Sequence, residues 1–388
     1  MSVFLALTLL LALAMLGPAG FVIGAVLALV PLPIYVALAL WIDRYEPEPR
    51  ALLLRAFLWG AGVATFVALI VNSIGIVIVE EEFGEAVGEI YGGSVSAPIV
   101  EEGAKAIALF GLYRWRRSEL DGVLDGIVYA AMVGLGFATT ENVLYYGEEA
   151  VTGDVGIGTI FVMRGVASPF AHPVFTAMTG IGLALAATST KRSRRVLAPA
   201  LGLLGAILLH SAWNTSTIDG TAFVATFFLV MLPVFVALIV IGIVARRRDG
   251  RRVAAYLGPE VERGLLTPDD VAALSSMRGR ARARRAARSS GGKAAGKARR
   301  ELHRAATDLA FLRHRQALGR QDPDAAPAHQ DEAAFVTRIA QLTGKLPPAP
   351  PAPPAPQPGP PPNWYPDPSG RFRLRYWDGY AWTPHTAT

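Results

Sequence analysis

Runs of about twenty apolar residues recur from the first residues to about position 245, and no other feature limits this chain as tightly. At 1.5 Å per helical residue, roughly 20 residues cross the ~30 Å hydrocarbon layer of a bilayer, where the backbone must satisfy its own hydrogen bonds. The runs fall at 3–16, 21–42, 51–79, 97–113, 122–145, 157–187, 196–213 and 222–245. They predict an all-α polytopic membrane protein, a bundle of about eight transmembrane helices. Gly17-Pro18-Ala19-Gly20 separates the first two runs. Ser168-Pro169 breaks the sixth, which is too long for one upright span, because proline lacks an N–H and restricts its predecessor. A span starting at Pro169 has the right length, and 157–167, with Arg164, is then an interfacial or re-entrant helix.

Charge is sparse, 18% of residues against 52% hydrophobic, and it sits in loops and the C-terminal third. Basic residues occupy 43–50, 114–117, 191–195 and 246–252, whereas 80–85, 148–154 and 215–219 hold none. The positive-inside rule then places both termini in the cytoplasm and the Glu80–Glu89 loop outside. The net charge of +6 reports topology and gives no reason to expect nucleic acid. With no cysteine, disulfides and thiolate chemistry are excluded. Met1-Ser-Val-Phe4 lacks the positive start of a cleavable signal, so the first run is expected to be retained.

One run is anomalous. Residues 97–113 carry Glu101, Glu102 and Lys105, each costing roughly 2.5–3.5 kcal/mol to insert, so they are expected to face a polar interior. Glu101 and Lys105 share a helix face and Glu102 lies about 100° round, so both carboxylates can border one cavity. The alternating topology brings Glu141, His172 and His210 with Asn214 to the same outer level from three further helices. Taken singly, each has a bland reading: an ion pair, a packing histidine, interfacial polar residues. Their convergence at one depth favours a site. His172, His210, Glu141 and one of the paired glutamates form a set suited to catalytic zinc, which keeps an open position for water. Without a metal, a glutamate can activate water while His210 and Asn214 donate to the oxyanion. The residues leave both open. They also leave open a proton- or cation-coupled transporter using the same cluster, although no internal repeat supports it, and a plain membrane anchor for the basic tail.

After Arg252 the character changes. Thr267-Pro-Asp-Asp270 starts a helix, 278–300 is rich in Arg, Lys, Ala and Gly, and 301–320 and 331–342 read as helical. The expected organisation is a membrane domain over 1–250, a small cytoplasmic helical, basic region over 251–344, a Pro/Ala-rich spacer over 345–362, and a tiny Trp-rich β module over 363–388.

In order along the chain, Glu101-Glu102-Gly-Ala-Lys105 fits the E-E-x-x-K motif of the PrsW family and Phe137-Ala-Thr-Thr-Glu141 its F-x-x-x-E. His172 sits where a third helix supplies histidine, and His210-Ser-Ala-Trp-Asn214 fits the closing H-x-x-x-N. Asp43-Arg-Tyr-Glu-Pro-Glu-Pro49 also resembles the family, and the resemblance spans roughly residues 20–275. It implies a membrane-embedded, metal-dependent endopeptidase, distantly related to the CAAX prenyl proteases, in the cell membrane. The best-known relative makes the first cut in a single-span anti-sigma factor, so a membrane-protein substrate of that kind is implied. By carry-over, Glu101 or Glu102 activates water beside Lys105, Glu141 and His172 assist or ligate the metal, and His210 with Asn214 steadies the oxyanion. Zn2+ held by Glu141, His172 and His210 is the expected centre. The last 25 or so residues are similar to a short module of unknown function found at the ends of actinobacterial membrane proteins.

Overall fold

The computed structural model describes residues 1–45, 47–317, 332–344, 363–378 and 382–387, in two compact units, Met1–Lys345 and Leu346–Thr388. In the first unit, α1 (Ser2–Leu29) doubles back at Gly17, whose φ of +65° an L side chain rarely adopts. Leu16 and Gly20, on the two arms, both meet Gly147, and Thr8 on the first arm donates to the Gly62 carbonyl. Pro31 starts α2 (Leu32–Ile42). Helix α3 (Arg50–Leu58) passes through a wide turn, Trp59–Ala64, into α4 (Thr65–Phe83). Gly84, at φ +91°, reverses the chain into α5 (Glu85–Tyr91), which continues through Gly92–Ser96 into α6 (Ala97–Trp115). Then follow α7 (Val123–Thr152), α8 (Ile157–Phe161) with its wide turn Val162–Ala167, α9 (Ala171–Ala187), α10 (Arg192–Ser216), α11 (Gly220–Thr226) and α12 (Leu232–Tyr256).

Among the described residues, six stretches are long and apolar enough to cross a membrane: Ser2–Tyr45, Arg50–Phe83, Val123–Thr152, Ile157–Ala187, Arg192–Ser216 and Gly220–Tyr256. These six do not confirm the expected eight, for two reasons. Two expected runs lie within Ser2–Tyr45, folded about Gly17. Helix α6 does not qualify because Glu101, Glu102 and Lys105 sit inside it. The expected break before His172 is present: residues 168–170 leave the helix and α9 starts at Ala171.

Helices α7 and α9 form the centre of the bundle. The apolar stretch of α7 and the Ile157–Ala187 stretch that holds α9 are each 78% buried, against 17% for α10, so the other helices pack around this pair. Glycines bring backbones into contact along α7. A Cβ on Gly126 would lie 2.3 Å from the Gly180 oxygen, and one on Gly180 would lie 2.0 Å from the Gly126 oxygen. Gly134 sits against the His172–Pro173 backbone in the same way. Small-residue seams of this kind let membrane helices approach closely, and here they set the register of α9 on α7.

At the end bearing the basic loops, α13 (Gly258–Glu262), α14 (Pro268–Leu274), α15 (Met277–Ala317) and α16 (Glu332–Thr343) form a helical layer. Thr267 and Asp270 cap α14 reciprocally, as their spacing predicts. Helix α15 breaks at Gly291 and Gly292, and its arms lie side by side, with Arg280 donating to Thr307 at 2.7 Å. The layer is tied to the membrane helices. Arg280 donates to the Tyr45 carbonyl at 2.7 Å and covers the Tyr45 ring, and Arg315 pairs with Asp121 at 2.9 Å.

The second unit is an antiparallel three-stranded sheet, β1 (Asn363–Pro366), β2 (Leu374–Trp377) and β3 (Trp382–Ala387), in that order. The Asp367 carboxylate shapes its first turn, accepting from the backbone of Ser369, Arg371 and Phe372. The expected spacer at 345–362 lies outside the described residues.

Candidate active site

Lys105 is fully buried in the middle of α6 and its ammonium organises the site. Its Nζ lies 2.8 Å from Glu102 Oε1, 3.4 Å from Glu101 Oε2 and 2.9 Å from His172 Nδ1, and 3.7 Å above the Phe137 ring. Three N–H donors thus meet three acceptors, with an aromatic face beneath. An ammonium has no lone pair, so His172 Nδ1 accepts, its ring proton sits on Nε2, and Nε2 donates to Glu141 Oε2 at 2.9 Å. Glu141 also accepts from Arg164, which donates to Asn142 at 2.7 Å and lies 3.7 Å over the Tyr145 ring.

The adjacent glutamates divide their work. Glu102 is turned into the protein. Its Oε1 lies 3.2 Å from His210 Nδ1 as well as on Lys105, and its Oε2 accepts from Thr176 at 3.1 Å. Glu101 borders a cavity of about 630 Å³ that Glu141, His172, His210 and Asn214 also line. His210 is held flat, stacked on Phe175 at 4.6 Å and edge-on to His172 at 5.2 Å. Asn214 donates to the Gly93 carbonyl at 2.9 Å and Ser211 to Ser94 at 2.6 Å, fastening α10 to the turn that precedes α6. The cavity wall extends to Glu148, Val155 and Thr217, in or beside loops that carry no basic residue.

Six of the seven residues singled out from the sequence are thus linked by contacts through Lys105, and Asn214 joins four of them on the cavity wall. Sequence reasoning overlooked Thr176, although it stands one turn after His172 on the same face. It also gave no partner to Arg164, although a lone arginine in an apolar run is itself a signal.

Grouping by distance puts Glu101 where the expected ligand set has Glu141. Glu101, His172 and His210 offer three buried ligand atoms all within 4.8 Å of one another. Glu141, expected in that set, is instead occupied by Arg164 and by the far nitrogen of His172. One carboxylate with two imidazoles is a donor set used by hydrolytic zinc centres. Bonds of about 2.0–2.2 Å put tetrahedral ligands roughly 3.4 Å apart, so the trio would hold a metal only by drawing in by up to about 1.4 Å and with Lys105 released from His172 Nδ1 and Glu101. Glu141 behind His172 is the carboxylate that commonly orients a ligating imidazole.

Residues 48–241, half the chain and all four site helices, match the family described as PrsW family intramembrane metalloprotease. Protease PrsW of Clostridioides difficile (strain 630) is 31% identical over 186 residues, 47% of this chain and 75% of that relative. The chain belongs to the PrsW family. Two further proteins named Protease PrsW are similar. That of Bacillus subtilis (strain 168) is 31% identical over 172 residues, 44% of this chain and 72% of its own length. That of Geobacillus kaustophilus (strain HTA426) is 30% identical over 158 residues, 40% and 63% respectively. Residues 362–388 match a second family, described as a protein of unknown function (DUF2510). No solved structure matches. PrsW membership makes the chain an intramembrane protease, and the buried Glu–His cluster is where its chemistry is to be sought.

Proposed function

We propose that this PrsW protein hydrolyses a peptide bond of a membrane-protein substrate in the bilayer third nearest the Glu80–Glu89 loop, with Glu101, His172 and His210 around the attacking water. The observation that carries the reading is this trio, buried and within 4.8 Å, at the wall of a cavity large enough for a peptide segment. Basic loops at the opposite end support cytoplasmic termini. The substrate is assigned as a single-span membrane protein of the anti-sigma-factor kind, on the family resemblance. Residues 1–250 are assigned as the protease domain and 251–344 as a cytoplasmic layer fastened to it.

The geometry supports the following roles. Of the adjacent pair, Glu101 is the carboxylate that borders the cavity, and without a metal it takes the proton of the attacking water. Zinc held by the trio would supply a water ionising near pH 7 and a Lewis acid for the scissile carbonyl. Glu141 fixes the orientation of His172. Glu102, bonded by Lys105, His210 and Thr176, holds Lys105 and His210 in place. Asn214 uses one amide hydrogen on Gly93 and has a second for the oxyanion. The test is a mass-spectrometric survey of new N-termini in membranes of cells making wild type or Glu101→Gln at matched levels. New termini near the ends of other proteins' spans, absent in the variant, are expected. The same termini at the same abundance in the variant would overturn the assignment.

A further inference from the structure

On the face of α6 away from the catalytic cavity lies a second and larger hollow. It has a volume of about 930 Å³, at the upper end of the roughly 300–1,000 Å³ typical of ligand sites. Its walls are apolar, from Leu52 and Trp59 on the α3 side, Ile107 and Phe110 on α6, and Leu203 on α10. Ile107 and Phe110 are more than half exposed, so in a bilayer this hollow is filled by something greasy.

Its rim has the opposite character. Arg55 from α3, and Arg114 and Arg116 from the end of α6, line the same hollow. None makes an ion pair or side-chain hydrogen bond among the described residues, whereas Arg117 next to them bonds the Ala186 and Ala187 carbonyls. Cations at a helix C-terminus suit the backbone dipole, which accounts for Arg114 and Arg116. It does not account for Arg55, since the helix runs on from Arg50 to Phe83.

We propose that this hollow binds one anionic phospholipid, its acyl chains along Ile107, Phe110 and Leu203 and its phosphate between the three guanidinium groups. Guanidinium forks match phosphate oxygens, and basic pockets between membrane helices hold anionic headgroups. Charge decides the occupant. A substrate helix would bring to this end the basic residues that commonly flank a span, and three unpaired arginines repel them. The lipid packs on the helix that carries Glu101, Glu102 and Lys105, so it braces the catalytic face from behind.

The test uses the full chain reconstituted in nanodiscs of phosphatidylcholine with graded phosphatidylglycerol, followed by mild delipidation and native mass spectrometry of retained lipid. Wild type is expected to keep about one phosphatidylglycerol and to discriminate at least tenfold against phosphatidylcholine. Arg55→Gln/Arg114→Gln/Arg116→Gln is expected to lose that discrimination, and the triple lysine variant to keep most of it. Ile107→Trp fills the hollow without touching the charge and is expected to lose the lipid as well, which guards against a glutamine variant that simply misfolds. Equal retention of the two lipids by wild type, or undiminished retention by both the glutamine and tryptophan variants, would overturn the proposal. So would a photo-crosslinker at Phe110 that captures a peptide rather than lipid. None of these readouts requires cleavage, so the binding site stands or falls apart from the protease reading.

Discussion

Two buried charge clusters in this protein look alike on a list of contacts and differ in kind. In the helical layer, Glu260 is fully buried and takes both arms of the Arg313 guanidinium, one at 2.8 Å, with Arg263 at 3.1 Å. Arg313 also reaches Glu332 and the Tyr256 carbonyl, so two carboxylates meet two cations and none of these residues borders a cavity described here. In the membrane, three carboxylates, Glu101, Glu102 and Glu141, meet only Lys105 and Arg164, beside two histidines and a cavity. A cluster with balanced charge and closed walls is a fastening. One with a surplus of acceptors and an open wall has unspent capacity for a proton, a cation or a substrate.

The contrast breaks if the two clusters respond alike to mutation. The largest effect is expected for Glu101→Gln, which should lower cleavage of a reconstituted substrate by roughly 10²–10⁴-fold, the range for a lost general base, with the unfolding midpoint nearly unchanged. Cleavage within tenfold of wild type would make the membrane cluster a fastening too. Arg313→Met should do the reverse. Leaving Glu260 buried without its main partner costs about 3–5 kcal/mol, read as a lowered thermal transition, while cleavage per folded molecule holds. Asn214→Ala should reduce kcat by about 10²-fold with a small change in KM, as expected for an oxyanion donor. If KM alone moves, Asn214 only fastens α10 to the Gly92–Ser96 turn.

The helical layer also has its own response to acid. Burial, with Arg280 and Arg299 nearby, holds His303 at about 3, well below the usual histidine value. The folded form keeps it neutral, while the unfolded chain takes up a proton below about 6.5. Stability is therefore full above pH 6.5 and declines as pH falls toward 3. Thermal unfolding between pH 7 and 4 should show this slope, and His303→Gln should flatten it. The smallest effect is expected for Thr176→Val, which removes one hydrogen bond to Glu102 and should cost about 1 kcal/mol with a few-fold loss of cleavage.

Much of this was legible in the sequence, because a charge in an apolar run has few places to go. Lys105, Glu141, His172 and His210 had to turn inward, and four spans with one polar level leave one meeting point. Which neighbouring glutamate faces the cavity was not legible. Spacing fixes the angle between Glu101 and Glu102 but not the rotation of α6, which follows from Thr176 and His210 on helices made later in the chain. Nor was the engagement of Glu141 by Arg164 legible, since it depends on where the piece before Ser168 folds back. Local signals fared better, and the Thr267–Asp270 box needed no tertiary partner. The count of eight spans is not confirmed, because Glu101, Glu102 and Lys105 make α6 too polar to qualify by composition.

That polarity also orders the making of the protein. Entering the bilayer alone, α6 would carry Glu101, Glu102 and Lys105 at roughly 2.5–3.5 kcal/mol each, offset only in part by their own pairing. The histidines that complete the cluster come 67 residues after Lys105 and 108 after Glu102. At about 5–20 residues per second, the ribosome needs roughly 5–20 s to supply the last of them. During that interval α6 is a reluctant passenger in the membrane, and the helix that will cut other proteins becomes settled only when α9 and α10 arrive to enclose it.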